Sequence, residues 1–375
     1  MVGYLAYHLR PDHRHILVAH GHCDSTHLTV QRIWYHFLRV YVKVGLYFYF
    51  RKLVIEGREN IPDGPVIFAS NHQNAFMDAL LIICFTSKFT YSLTRADIFK
   101  ETFARWLLTT LNMIPIFRIR DGWQSLAENQ KTFEVCDGVF LRNEAVLIFP
   151  EGNHGSQRRL RPLSKGFTRI AFGSLRQHPE LRISIVPVGI NYSDHQGLRS
   201  EVGIRYGKAI LANDYFHSTN SSDANQLRND LADRLKGMIT HIEDTSRYDE
   251  IIKELEKTQP DYLHPTQVNE RVAAIVGGGR TVVGSASEVN TRATVRPIYY
   301  LNRFLNFPPL LVWRQVRNRI KDPVFIASLK FGIGIFLFPT YYLLVGILLF
   351  IWAGPWISGV WWISCLCSTW FLRPD

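Results

Sequence analysis

The 375-residue sequence is poor in cysteine: Cys23, Cys84, Cys136, Cys365 and Cys367 are scattered and odd in number. That excludes a disulfide framework, and no metal-type pair has a partner pair, so no zinc site is implied either. Cys365 and Cys367 lie in an apolar run and read as small buried hydrophobes, which fits reducing surroundings. No secretory leader is visible, because basic residues are spread through the first 30 positions and the apolar runs there are short. No RNA-binding or helix-turn-helix signature stands out. Acidic charge is also in deficit, with 32 Asp and Glu against 43 Lys and Arg, a net charge of +11 and a pI of about 9.5. A basic excess favours polyanions. With no nucleic-acid signature, and with aromatic and apolar runs crowding the C-terminus, the partner it points to is anionic membrane lipid, not nucleic acid.

What is present falls into five parts. Residues 1–30 carry His8, His13, His15, His20, His22 and His27 without a clear period. They read either as a metal-binding tract or as an atypical, poorly ordered leader. Residues 31–52 are aromatic and aliphatic, punctuated by Arg32, Arg39, Lys43, Arg51 and Lys52. The charges are too frequent for a comfortable membrane span, so this stretch reads as an interfacial helix with its apolar side in the acyl boundary. An ordinary amphipathic core helix is the alternative.

Residues 53–260 alternate short apolar strands with helices. Strands are expected near 53–57, 65–70, 89–93, 114–119, 145–149, 183–190 and 202–206, with helices between and after them. The alternation predicts an α/β fold with a mostly parallel central sheet flanked by helices, and a site at the C-terminal ends of the strands. Residues 261–325 read as a linker followed by a basic membrane-surface segment. Residues 326–375 hold two apolar runs, 331–353 and 356–372, broken at Gly354-Pro355. The first is long enough to span a bilayer, and together they read as a transmembrane hairpin, spanning or re-entrant. A buried soluble hairpin is the alternative. The bases at 314–321 and Arg373 put the flanks on the cytoplasmic side, so the expected location is the inner (cytoplasmic) membrane with the globular part facing the cytoplasm.

The stretch that organises the chain is SNHQNAFMD, residues 70–78. A buried-looking strand runs into a polar turn carrying His72, and Asp78 follows on the first turns of an apolar helix. An imidazole with a carboxylate behind it has the parts of a general base and its orienter. Positions six apart are badly phased on one helix, so a tight turn must come between them. The alternative is a plain helix start, with Asn71 or Asn74 as its cap. His72, Arg118, Arg120 and Glu151 all fall at expected strand ends, which argues for a shared site. For the two arginines the alternative is a surface ion pair, and for Glu151 a capping carboxylate.

With NHQNAFMD, PIFRIR, FPEG and VPVGINY in order, the chain resembles the glycerolipid acyltransferases of the lysophosphatidate and glycerol-3-phosphate acyltransferase type over about residues 53–208. The family's first motif is Asn-His, four residues, Asp; here Asn71 and His72 match and five residues precede Asp78. Phe117 and Arg120 match the second motif, with Arg118 as a further candidate. Phe149, Pro150, Glu151 and Gly152 are the intact third motif, and Pro187 lies in the fourth. Asn153-His154-Gly155-Ser156 stands where the family continues Thr-Arg-Ser, so the resemblance passes a basic contact to Arg158 or Arg159. It implies that His72 is the general base on a glycerol hydroxyl and that Asp78 holds its ring. It further implies that Arg118 and Arg120 bind the substrate phosphate, that Glu151, with Gly152, orients the glycerol backbone, and that Asn71 and Arg158 contribute to binding. No metal or cofactor is implied, and acyl-CoA or acyl-carrier-protein would be the acyl donor. The acceptor would be 1-acyl-glycerol-3-phosphate, glycerol-3-phosphate or another lysophospholipid. The reading from another class is a membrane-anchored lipid-binding protein without activity.

Overall fold

The computed structural model describes residues 25–99, 105, 108–117, 124–217, 221–278, 300 and 303–370. An eight-stranded sheet forms its centre: β1 (Lys52–Glu56), β2 (Val66–Ser70), β3 (Thr90–Arg95), β4 (Met113–Ile116), β5 (Ala145–Ile148), β6 (Ser184–Tyr192), β7 (Glu201–Tyr206) and β8 (Ile210–Leu211). The strand order is β1-β7-β6-β2-β5-β3-β4, with β8 beside β6. All pairings are parallel except β6 with β7 and β6 with β8. The mixed α/β fold with a mostly parallel, helix-flanked sheet matches the sequence expectation.

Alternation along β2 shows how the sheet holds two cores at once. Val66 and Phe68 face one apolar cluster, and Ile67 and Ala69 face the other. Every residue of β2 is buried, as a parallel strand covered on both faces requires. The first cluster takes in the Phe76–Phe85 helix, Tyr35, Leu46 and Tyr49 of the Ser25–Tyr49 helix, and Ala327 and Phe331 from near the C-terminus. The second takes in the Gln124–Leu141, Gly166–Gln177 and Ser221–Met238 helices. Pro187 is tolerated inside a central strand for a local reason. Its carbonyl accepts a hydrogen bond from Gly207 N at 2.8 Å. The N–H it lacks would point to the same side, where β8 pairs only with Ser184 and Ile185 and β7 begins pairing at Val188.

The structure differs from the sequence reading in three places. The stretch taken as linker contains the Pro265–Val276 helix, which packs Val268 and Val272 against Ile251 and Leu255. Pro265 at the first helical turn and apolar residues four apart were the available signal, outweighed by the polar residues between them. The helix expected at 31–52 is observed as Ser25–Tyr49 and packs on the domain, as the core-helix alternative has it. Tyr35, Leu46 and Tyr49 are buried against the domain, while Ile33, Phe37, Val40 and Val44 stand exposed on the outer side. At the C-terminus, the helix Phe325–Ala353 starts in the protein core with Ile326 and Ala327, and only further along does it expose Leu343, Leu344, Ile347 and Ile351. Gly354, at φ 84°, turns the chain into the Pro355–Trp370 helix, which packs back on it. Residues 1–24, with most of the histidine tract, lie outside the described residues.

Candidate active site

Parallel register brings the site together. Ala69 of β2 pairs with Ile148 of β5, so the segments leaving those two strands, at 70–72 and 149–151, emerge side by side. His72 and Phe149 are the first consequence: their rings stack at 4.0 Å with 15° between planes. Glu151 is the second. Its Oε1 accepts the His72 backbone N–H at 2.9 Å, and its Oε2 accepts Arg161 Nε at 2.6 Å. Burial pushes the Glu151 carboxyl up from its ordinary value, and the Arg161 guanidinium works against that rise. The turn after Glu151 needs Gly152, which sits at φ 68° and donates its N–H to Phe149 O at 3.0 Å.

His72 Nδ1 lies 2.8 Å from Asp78 Oδ2. The same oxygen accepts the backbone N–H groups of Gln73 and Asn74, each at 2.8 Å. The other carboxylate oxygen, Oδ1, accepts the Tyr192 hydroxyl at 2.6 Å. Asp78 is fully buried, and this set of donors is what makes a buried carboxylate tolerable. The alternative reading, a helix capped by Asn71 or Asn74, does not form: the cap position is Ala75 with no side-chain cap bond, and Asp78, in the first turn of the Phe76–Phe85 helix, accepts the amides of the turn before it and also holds the imidazole. Burial and the Asp78 charge keep Tyr192 protonated, well above the ordinary phenol value, so it stays a donor. With Nδ1–H given to Asp78, the His72 lone pair is on Nε2, at a ring that is still 16% exposed. That is the geometry of a general base able to take a proton from a substrate hydroxyl.

The remaining expected site residues divide. Asn71 is fully buried, its amide donating to Ile190 O at 3.0 Å and accepting from Ile190 N at 2.8 Å. Arg158 is buried as well: it donates to Tyr192 O at 2.7 Å and Ser193 O at 3.0 Å and lies 3.2 Å over the Tyr262 ring. Expected as substrate contacts, both spend their polar groups on the protein's own backbone and hold β6 in place behind the site. Arg118 and Arg120 lie outside the described residues.

Three contributors have roles that a reading of the sequence does not assign, although Tyr192 closes the VPVGINY motif. Arg161, besides its pairing with Glu151, donates to His154 O at 2.9 Å and to Asn153 O, fixing the loop that follows the FPEG turn. It stands ten positions past Glu151, where spacing alone gives no pointer to it. Tyr192 comes from the end of β6, 114 positions from Asp78. His195 places Nε2 3.2 Å from Gln73 Oε1, and its carbonyl accepts Asn74 Nδ2 at 2.8 Å. Burial, followed by the Arg158 charge, lowers the His195 pKa to about 3, so the ring is neutral.

Part of the sequence is similar to known proteins. Residues 52–191 match the family model described as Acyltransferase. The chain is 26% identical over 144 residues to the chloroplastic 1-acyl-sn-glycerol-3-phosphate acyltransferase BAT2 of Brassica napus, covering 38% of this chain and 40% of that protein. It is 35% identical over 68 residues to glycerol-3-phosphate O-acyltransferase 1 of Saccharomyces cerevisiae, covering 18% of this chain and 9% of that one. The chain thus spans less than half the length of these curated relatives. Among solved structures, the 1-acyl-sn-glycerophosphate (LPA) acyltransferase PlsC from Thermotoga maritima aligns with a TM-score of 0.41 at 18% identity, over 59% of this chain and 86% of that one. The matched segment holds the His72–Asp78 pair, Phe149 to Gly152 and five strands of the sheet in one continuous unit, β1 to β5, with most of β6. Residues 52–191, over a third of the chain, are therefore similar to the family described as Acyltransferase.

Proposed function

We propose that this protein is a membrane-bound acyltransferase that moves a fatty acyl group from an acyl thioester to the hydroxyl of 1-acyl-glycerol-3-phosphate, giving phosphatidate. The observation that carries the reading is the His72 Nδ1–Asp78 Oδ2 contact at 2.8 Å, held by a fully buried carboxylate with three further donors. In the reaction, Nε2 of His72 takes the proton of the acceptor hydroxyl as its oxygen attacks the thioester carbonyl carbon. The tetrahedral oxyanion collapses, the carbon–sulfur bond breaks, and the departing thiolate takes the proton back from the imidazolium. Product is an ester and a free thiol. No acyl-enzyme is required. Arg118 and Arg120, with planar guanidinium forks suited to a phosphate, are the cations assigned to the acceptor. The donor is acyl-CoA or acyl-carrier-protein, and no metal or further cofactor enters the scheme.

Two features support a membrane setting. The Phe325–Ala353 helix has 29 residues, about 43 Å at the usual rise, against a hydrocarbon core of about 30 Å. Only 11% of its most apolar stretch is buried in the protein. The outer face of the Ser25–Tyr49 helix adds exposed Ile33, Phe37 and Val40 on the same side of the sheet. Bases at Arg314, Arg317, Arg319 and Lys321 support a reading in which the catalytic domain lies on the cytoplasmic face of the inner membrane.

A second acceptor, glycerol-3-phosphate, is favoured by two observations: the five-residue spacing between His72 and Asp78, and the 35% identity to a protein named for that substrate. Membranes containing the protein, given an acyl thioester with radiolabelled lysophosphatidate or glycerol-3-phosphate separately, decide the matter. Phosphatidate from lysophosphatidate is the expected result. Transfer only to glycerol-3-phosphate changes the acceptor, and transfer to neither removes the function.

A further inference from the structure

The turn between His72 and Asp78 has to absorb five residues before the carboxylate can face the ring. It does so at Ala75, which sits at φ 42° and ψ −125° immediately before the Phe76–Phe85 helix. A side chain with a Cβ is strained there, and such a conformation persists only where its surroundings impose it. The other described non-glycine residues at positive φ, Asn112, Asn143, Arg199 and Gln259, all have polar side chains. Ala75 has none with which to stabilise its own turn.

The turn closes with its own Met77 N–H to Asn74 O bond at 3.0 Å, and a further stabilising group comes from far along the chain. Ser328 Oγ donates to Asn74 O at 2.8 Å and accepts the Met77 N–H at 3.0 Å, so it bridges the backbone on either side of Ala75. Ser328 is buried, in the first turn of the Phe325–Ala353 helix, between the buried Ala327 and a helix face that continues to buried Phe331. One residue group of the same turn also reaches the site from above: the Phe325 ring meets His154 edge-on at 4.8 Å, and the His154 ring lies 5.7 Å from that of His72.

We propose that Ser328 is a positioning residue for the His72–Asp78 pair: by clamping Asn74 and Met77 it holds the strained turn in the one shape that brings the Asp78 carboxylate to Nδ1. The helix that carries the apolar span is thereby part of the catalytic scaffold, although it lies outside the matched family segment, 52–191. The inference rests on the acyl-transfer reading given above. It concerns kcat, because the turn aligns the base and Ser328 touches neither substrate in that scheme.

The test uses the full-length protein in membranes, with initial rates measured over both acyl thioester and acceptor concentrations. Ser328→Ala is expected to lower kcat about tenfold with both KM values unchanged. Ser328→Cys, nearly isosteric but a weak hydrogen bonder, is expected to show the same split, and it serves where Ser328→Ala fails to accumulate. Ser328→Thr, which restores the hydroxyl, is expected to recover most of kcat. Adding Ala75→Gly to Ser328→Ala is expected to return much of the loss, because glycine takes this conformation without strain. Ser358 is the control: it is a buried serine whose Oγ donates to Gly346 O at 2.9 Å within the C-terminal hairpin, away from the turn, and Ser358→Ala is expected to keep the wild-type kcat. Wild-type kcat in both Ser328→Ala and Ser328→Cys overturns the proposal. A loss confined to KM, or one that Ala75→Gly leaves untouched, also overturns it. A wild-type protein without His72-dependent transfer overturns the function and this inference with it, whereas an active wild type indifferent to Ser328 overturns this inference alone.

Discussion

The Phe76–Phe85 and Phe325–Ala353 helices are both almost wholly apolar, and they meet opposite fates. In the Phe76–Phe85 helix, every residue from Met77 to Phe85 is buried. In the Phe325–Ala353 helix, burial is confined mainly to the first two turns, and Phe350, Ile351 and Trp352 are exposed, the last at 85%. Both are hydrophobic on all sides, so periodicity cannot distinguish them. Length does: ten residues cannot cross a bilayer and twenty-nine can. The short helix owes its place to the sheet, since it follows β2 directly and must fold back over it. The long one begins under the same constraint, packing Ile326, Ala327 and Ser328 on the domain, and then runs on past the sheet, with the Phe307–Arg317 and Pro355–Trp370 helices packed along part of it and the rest exposed. The two touch where Ser328 meets Met77, beside the His72–Asp78 pair. A buried core and an exposed apolar surface are joined at the candidate active site.

The largest expected effect strikes the one charged residue of the buried helix. Asp78→Asn keeps the shape but removes the charge and disturbs the imidazole tautomer, and acyl transfer is expected to fall about 10³-fold or more while membrane association stays intact. Next comes a direct contrast between the helices. Leu81→Ala, in the fully buried face, is expected to cost about 2–5 kcal/mol of domain stability in detergent, read by thermal or denaturant unfolding. Leu348→Ala, on the exposed face, is expected to stay within about 0.5 kcal/mol in the same measurement. Equal losses at the two positions break the comparison.

A smaller effect is expected at Tyr192. Tyr192→Phe leaves Asp78 Oδ1 without its donor inside the protein, and an activity loss of about tenfold follows if one buried hydrogen bond is lost. A further effect concerns pH. His195 is neutral in the folded protein down to about pH 3, whereas its ordinary value is 6.5. The unfolded chain therefore binds a proton that the folded one refuses as pH falls below 6.5, and stability present above that value is progressively lost on the way toward 3. His195→Gln is expected to flatten the fall in melting temperature between about pH 7.5 and about pH 5.

Much of the domain is legible in the sequence because its strands are continuous apolar runs bounded by turns. β2, β5 and β7 lie within a residue or so of where the pattern puts them. His72 and Asp78 are legible too, as a polar turn between an apolar strand and an apolar helix. What the pattern does not carry is where a polar group's bonds go. Asn71 and Arg158 stand beside the motifs and have the right chemistry for a ligand, but their groups are taken by Ile190, Tyr192 and Ser193. Nothing local distinguishes such a residue from a free one. Tyr192 and Ser328 fail to register for the complementary reason: they reach the site from 114 and 251 positions away, through contacts that exist only once β6 and the long helix are packed. Pro265–Val276 is legible in principle, but its apolar residues gather in its second half, and Thr266, Gln267, Asn269, Glu270 and Arg271 make its first half polar.

The most direct test of the central claim is a rate comparison in membranes carrying equal amounts of wild-type and His72→Ala protein. Transfer from an acyl thioester to lysophosphatidate is followed to phosphatidate and free thiol. The account expects phosphatidate and thiol in equal amounts from the wild type, and a fall of about 10³-fold or more in the variant with its membrane association unchanged. Transfer that survives His72→Ala at a rate near that of the wild type would contradict it.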